Sequence, residues 1–232
     1  MSSKIIDDIL SYREMCDMEN VQTLQRGMNY RLNPHYSVIL MSQRLNAPYT
    51  DSIYEDGVTI EYEGHDMSRS GYMHNPKLED QPEKLPSGRL TQNGLFIKAV
   101  KEFKSGSREA EQVKAYEKIM PGVWSLKGIF NLVDYKIVND GKRCVFRFIL
   151  SLSENQAAKI NNAEITHNRL IPSEVKKEVW KRDGGKCVLC GATKNLHFDH
   201  ELPFSKGGTS LTAQNVRLLC LKHNLQKSDK IE

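Results

Sequence analysis

The spacing of apolar residues along this 232-residue chain changes several times, and each change marks an element. Near the start, Ile5, Ile6, Ile9, Leu10 and Met15 recur on one helix face and Ser3 stands where a cap belongs. An amphipathic helix is expected over residues 3–16. Residues 29–35 are polar and rich in turn formers, and residues 37–42 form a short apolar run typical of a buried strand. From Ala47 to Ser153 the chain has strand character with one helical interruption. Asp56-Gly57 is a turn pair between the strand-like stretches 52–54 and 59–62. Residues 64–88 are polar and rich in Gly, Pro and Ser; so long a loop inside a compact unit usually serves a function. Thr91-Gln92-Asn93 caps a helix expected over 94–103, and 112–120, 129–138 and 144–152 read as strands. The last two are joined by Asn139-Asp140-Gly141, a strong hairpin signal. Many short strands with few helices predict a small curled sheet or barrel.

Past Ser153 the pattern differs. Residues 153–168 are polar and include Asn155, Asn161 and Asn162, as a connection between domains would. A helix follows from Pro172-Ser173 to Arg182, with Val175, Val179 and Trp180 on one side and Asp183-Gly184-Gly185 as its stop. Then come a strand at 195–200, a loop at 203–208, a strand at 215–219 and a helix at 221–230. The fold class is therefore α+β with two domains.

Composition adds little to this picture. Hydrophobic residues make up 39 % and charged residues 27 %, enough for a core and unlike a disordered chain. No apolar run is long enough to span a membrane, and residues 1–10, with Asp7 and Asp8, lack a signal-like core, so the cytoplasm is the expected location. Charge is placed unevenly. From His167 onward there are 12 Lys and Arg against 7 Asp and Glu, a surplus of +5, whereas residues 1–166 carry −1. The basic excess lies where the candidate chemistry lies, and that combination points to nucleic acid.

Of five cysteines, Cys16 and Cys144 are isolated, and Cys144 reads as a small buried hydrophobe. The other three stand in Cys187-x-x-Cys190 and Cys220-x-x-His223. Two short Cys/His pairs are the ligand arrangement of a structural zinc, and Gly191 permits the tight turn after the first pair. The bland alternative makes Cys220 a free buried thiol and His223 a surface histidine. A segment this short buries little core, so the metal would supply much of its folding free energy.

Between the pairs lie Asn195-Leu196-His197-Phe198-Asp199-His200 and Asn215, and Asn224 follows His223. Over residues 171–230 this order resembles the HNH nuclease family, with its ββα-metal fold. The resemblance implies that His200 is the general base, that Asp199 and Asn224 hold a catalytic Mg²⁺ or Mn²⁺, and that Asn215 orients His200 through backbone contacts. His197 shares a strand face with Asp199, which leaves phosphate contact, metal contact or a structural role open. This chain carries His223 where such members commonly place a cysteine.

Upstream, residues 56–66, Asp80-Gln81, Leu90-Thr91-Gln92-Asn93-Gly94 and residues 122–134 together resemble the SET- and RING-associated (SRA) domain, a PUA-like β-barrel that reads modified cytosine. That resemblance implies base flipping. It makes Tyr62 a stacking ring, Asp66 the acid that accepts from the cytosine amino group, Tyr72 a second stacking ring, and residues 67–87 a loop inserted into the duplex. Lys98, Lys101 and Lys104 either meet phosphates or form a solvated helix face.

The organisation expected is a lead-in helix and strand over 1–45, an SRA-like reader over 46–153, a linker over 154–170 and a zinc-stapled HNH domain over 171–232. The resemblances imply a bacterial modification-dependent restriction endonuclease. It would recognise 5-methylcytosine, or a related modified cytosine, in double-stranded DNA and hydrolyse phosphodiester bonds nearby. One such site cuts one strand, so a homodimer is expected. Two alternatives stand beside it: a non-catalytic zinc-containing reader, and an HNH nuclease that recognises unmodified DNA.

Overall fold

A computed structural model of the chain describes residues 9–67, 75–153, 171–202 and 212–227. Its first elements are β1 (Ile9–Ser11), α1 (Tyr12–Met18), β2 (Met28–Asn33), β3 (Tyr36–Met41), β4 (Ser52–Ile53) and β5 (Thr59–Glu63). Next come α2 (Gln92–Lys104), β6 (Glu111–Met120), β7 (Val123–Asn139) and β8 (Cys144–Leu152). The sheet is organised on β7, which pairs with β6, β8 and β1. Strand order is β2–β3–β6–β7–β8–β5–β4, with β1 added on β7, and only β3–β6 is parallel among these pairs. Among the described residues the pairings follow an open path and do not close into the expected barrel.

Continuous buried runs on β3 and β7 mark a sheet covered on both faces. Against one lies α2, started by Thr91, whose hydroxyl accepts from the Gly94 N–H at 3.2 Å. Its Phe96, Ile97, Ala99 and Val100 pack with Ile39, Met41, Ile60, Phe130, Leu132 and Phe148. Each such large apolar side chain contributes roughly 1.5–3 kcal/mol on burial. A second cluster joins α1 to the sheet through Leu10, Met15, Cys16, Val38, Tyr116, Trp124 and Leu126.

Two expectations for the first 41 residues are corrected. Ile9, Leu10 and Ser11 are not helical; they pair with Ser125, Trp124 and Val123 of β7. The helix begins at Tyr12, capped by a reciprocal Ser11–Glu14 box. Pairing with a long strand overrode a local helical pattern. The polar stretch at 29–35 contains strand β2, whose alternation is masked by half-buried Asn29 and Asn33 and by Arg31 at φ 45°. The sheet thus draws strands from both sides of residue 46.

The remaining elements are α3 (Ser173–Arg182), β9 (Leu196–His200), β10 (Val216–Cys220) and α4 (Leu221–Lys227). β9 and β10 form an antiparallel pair that α4 packs against. Ile171, Val175, Val179, Leu196, Phe198, Val216, Leu218 and Leu219 form a separate apolar cluster. The stop after α3 is specific. Gly185 has φ +64°, and a Cβ there would lie 2.9 Å from the Trp180 ring. Asp183 accepts the Leu218 N–H, and Arg182 donates to the carbonyls of Ala213 and Val216, tying α3 to β10. The expected linker at 154–170 and loop at 203–208 lie outside the described residues. Among the described residues no helix is long and apolar enough to cross a membrane.

Candidate metal centre and cleft

The knuckle after α3 places two thiols close together. The Gly191 N–H donates to the Cys187 carbonyl at 2.8 Å, with Gly191 at φ +73°, and the Cys187 N–H donates to Ala192. The end of β10 and the first turn of α4 bring Cys220 and His223 to the same point. His223 Nδ1 lies 3.4 Å from both Cys187 Sγ and Cys220 Sγ, and Cys190 Sγ lies 3.8 Å from Cys220 Sγ. All four donor atoms fall within 4.8 Å of one another. Zinc–sulfur bonds of about 2.3 Å require tetrahedron edges of about 3.8 Å between sulfurs, and shorter ones to nitrogen. The cluster could therefore hold a metal such as zinc. Burial works against the Cys187 thiolate. Backbone N–H groups of Cys220 and Leu189, with the His223 ring, outweigh burial and bring that thiol down to about 6.

The hairpin carries the other candidates. Asp199 faces Arg217 and His200 faces Val216 across the β9–β10 register. Asn215 is nearly buried and grips the backbone just past His200. Its Oδ1 accepts from Leu202 N–H at 2.8 Å, its Nδ2 donates to Leu202 O at 3.0 Å, and its own carbonyl accepts from Glu201 N–H. His200 is half-buried at the strand end. Asn224 is half-buried on α4, next to His223. His197 is only 6 % exposed and sits opposite Leu219, an interior position of the hairpin.

Two residues at this site were missed by the sequence reading. Lys227 Nζ lies 2.6 Å from Asp199 Oδ2 and also donates to the His200 carbonyl. Arg217 Nε lies 3.7 Å from the same carboxylate oxygen. Lys227 falls one helical turn after Asn224, and Arg217 is cross-strand to Asp199, so both signals lay in the spacing.

In the sheet, two residues of the expected base pocket are engaged by protein groups. Tyr62 is a core residue, 1 % exposed, whose hydroxyl donates to the Gly27 carbonyl and meets His65 Nε2 at 3.0 Å. It presents no ring face to a base. Asp66 is held by Arg143 at 2.6 Å, Lys77 at 2.9 Å and Gln81 at 3.3 Å. Its acceptor capacity serves the protein. Tyr72 lies outside the described residues. Gln81 and Asn93, from the quoted motifs, brace the segment after β5: Gln81 donates to Gly64 O and Asn93 exchanges hydrogen bonds with the His65 backbone. A Cβ on Gly64 would lie 2.7 Å from Gln81 Oε1, so glycine is required there. Of the three helix lysines, Lys98 and Lys104 lie beside Glu102 and Asp134.

Open space lies elsewhere. A cleft of about 560 Å³ is lined by Gln43, Arg44, Tyr49, Thr50, Asp51 and, from α3, Glu174, among others. Asp51 accepts the Ser42 N–H on one oxygen and the Glu63 N–H on the other. Burial pushes its carboxyl up to about 7, against those two hydrogen bonds. Tyr49 stacks on the His65 ring at 5.1 Å, with Lys77 Nζ 3.9 Å from its centroid. An acid raised by burial and an aromatic ring lining one cleft make a further candidate binding pair beside Asp66 and Tyr62. Sequence gave one weak signal, the acid–aromatic spacing Tyr49-Thr50-Asp51, with nothing to rank it above the others.

No family model and no curated protein matches this chain. Among solved structures, it is similar to the SUVH5 SRA domain in complex with hemimethylated CG DNA: 16 % identity, TM-score 0.44, covering 66 % of this chain and 90 % of that one. It is also similar to the modification-dependent TagI restriction endonuclease: 17 % identity, TM-score 0.43, covering 97 % and 77 % respectively. KRYPTONITE in complex with mCHG DNA is a third: 17 % identity, TM-score 0.42, covering 67 % and 35 %.

Proposed function

We propose that this chain is a metal-dependent endonuclease of HNH type that reads modified cytosine in double-stranded DNA with its N-terminal sheet. One observation carries the reading: adjacent Asp199 and His200 end a strand whose exit is gripped by Asn215 and whose hairpin is stapled by a Cys₃His cluster. A zinc module that only bound DNA would need the staple and not the acid–histidine pair. His200 takes the proton of the attacking water, a task suited to imidazole near neutral pH. Asn215 fixes the backbone at His200 and so the direction of the ring. Asp199 and Asn224 hold a divalent cation, which when bound supplies charge stabilisation at the phosphate and the leaving oxygen. Cys187, Cys190, Cys220 and His223 hold zinc. Base recognition falls to the cleft, where Asp51 meets the edge of a flipped cytosine and Tyr49 its ring. Two copies acting together cut both strands.

The test is a digest of one plasmid in methylated and unmethylated form, with Mg²⁺ or Mn²⁺. Nicking confined to the methylated form is expected. No nicking with either metal would leave a reader without catalysis, and equal cutting of both forms would leave a nuclease for unmodified DNA.

A further inference from the structure

The two candidate sites are joined by buried charge. Lys176, on α3, has no exposed surface, and neither have Glu117 on β6 and Lys127 on β7. Lys176 Nζ donates to Ser125 Oγ at 3.0 Å and lies 3.8 Å from Glu117 Oε2. Lys127 Nζ reaches the same oxygen at 3.4 Å. Lys127 is the residue skipped where the β6–β7 register shifts between Ala115 and Tyr116. On the other side of Lys176, its ammonium lies 5.6 Å from the centroid of Phe198, the residue before Asp199 and His200. Glu117 is engaged a second time from α3, accepting from the Ser173 hydroxyl. Gln43 completes the chain. With its amide nitrogen turned toward α3, it donates to Ser173 Oγ at 2.9 Å and Glu117 Oε1 at 3.3 Å, and its oxygen accepts from Ile53 N–H. Gln43 also lines the cleft.

A charged group in an apolar interior is costly unless paired and hydrogen-bonded, and packing alone would be served as well by a methionine. The carboxylate beside Lys176 belongs to the sheet, while the ring it touches belongs to the hairpin. We propose that Lys176 is a positioning residue, tying β9, which carries Asp199 and His200, to the sheet that reads the base. This rests on the nuclease reading of those two residues. The tie fixes where the cutting strand stands relative to the cleft, and so which phosphate is cut.

The experiment compares the full-length chain with Lys176→Met and Glu117→Gln. Lys176→Met leaves the Glu117–Lys127 pair intact, so it removes the tie without stranding a carboxylate. Amide hydrogen exchange is followed at Phe198, Asp199 and His200, with β5 and β8, which carry none of these charged residues, as internal reference. Protection on β9 is expected to fall about tenfold in both variants while the reference strands hold. On a duplex with a single 5-methylcytosine, Lys176→Met is expected to bind as the parent does, to cut about tenfold more slowly and to spread its cuts over neighbouring phosphates. Wild-type protection of β9 in both variants would overturn the proposal. Exchange needs no cleavage, so a parent protein that never cuts would defeat the nuclease reading while the tie is still decided.

Discussion

The two candidate sites are built in opposite ways. The Cys₃His cluster, Asp199, His200, Asn215 and Asn224 come from 38 consecutive positions, Cys187 to Asn224, on one short hairpin and the helix after it. The cleft draws Gln43 and Arg44, Tyr49 to Asp51, and Glu174 of α3 from segments far apart in the chain. The first can be held by a metal with little core beneath it. The second exists only after β3, β6, β8 and β5 have paired. A site stapled by ligands is local and rigid, whereas a site made by a sheet inherits its shape from distant strands.

The sharpest break of this comparison is loss of the proposed metal. Cys220→Ser, or a strong chelator, should unfold the β9–β10 hairpin and α4, because a structural zinc would contribute on the order of 10 kcal/mol to so small a unit. Hydrogen exchange should show protection lost from β9 and β10 and retained in β6 to β8. One zinc per chain by elemental analysis is the companion expectation. Next in size is His200→Ala, expected to slow cleavage by about 10²–10⁴-fold while leaving DNA affinity unchanged, as a general base should. Retained cutting would remove His200 from the chemistry.

The third prediction separates two acids. Asp66→Ala removes the shortest ion pair of Arg143, whose side chain is 2 % exposed and keeps Glu63 and Asp140, and should cost about 1–3 kcal/mol of stability, read as a lowered melting temperature. Discrimination between modified and unmodified DNA should survive it in the folded fraction. Asp51→Asn turns an amide nitrogen onto a backbone N–H and should also lower the melting temperature, but in the folded fraction it should cost about 1–3 kcal/mol in discrimination. Asp51 also has a pH signature. Burial raises its pKa from 3.8 to about 7, so the folded state holds the proton more tightly than the unfolded state. Its contribution to stability is therefore fully present below the unfolded value and is lost as pH rises through the folded one. Melting temperatures at about pH 5 and about pH 8 should differ less in Asp51→Asn than in the parent.

This contrast also explains what was legible in the sequence. Cys187-x-x-Cys190 and Cys220-x-x-His223 reveal themselves because coordination needs fixed local spacing, and the structure brings all four together. Helix α2 and the β7–β8 hairpin follow from the Thr91 cap and the Asn139-Asp140-Gly141 turn, both local signals. β1 and β2 were hidden because their pairing with β7 and β3 is a tertiary fact. The surroundings of Tyr62 and Asp66 were hidden for the same reason. The partners that bury one and pair the other, Gly27, Lys77 and Arg143, lie 11 to 77 positions away. Lys176 had read only as one charge on an amphipathic helix.

The central claim is that reading and cutting are divided between these two regions. The direct measurement sets His200→Ala beside Asp51→Asn on one duplex with a single 5-methylcytosine and on its unmodified copy, following binding and cleavage together. His200→Ala should keep the parent's preference in binding and cut neither duplex, while Asp51→Asn should still cut and lose the preference. A His200→Ala protein that no longer prefers the modified duplex, or an Asp51→Asn protein that discriminates as the parent does, would contradict the division.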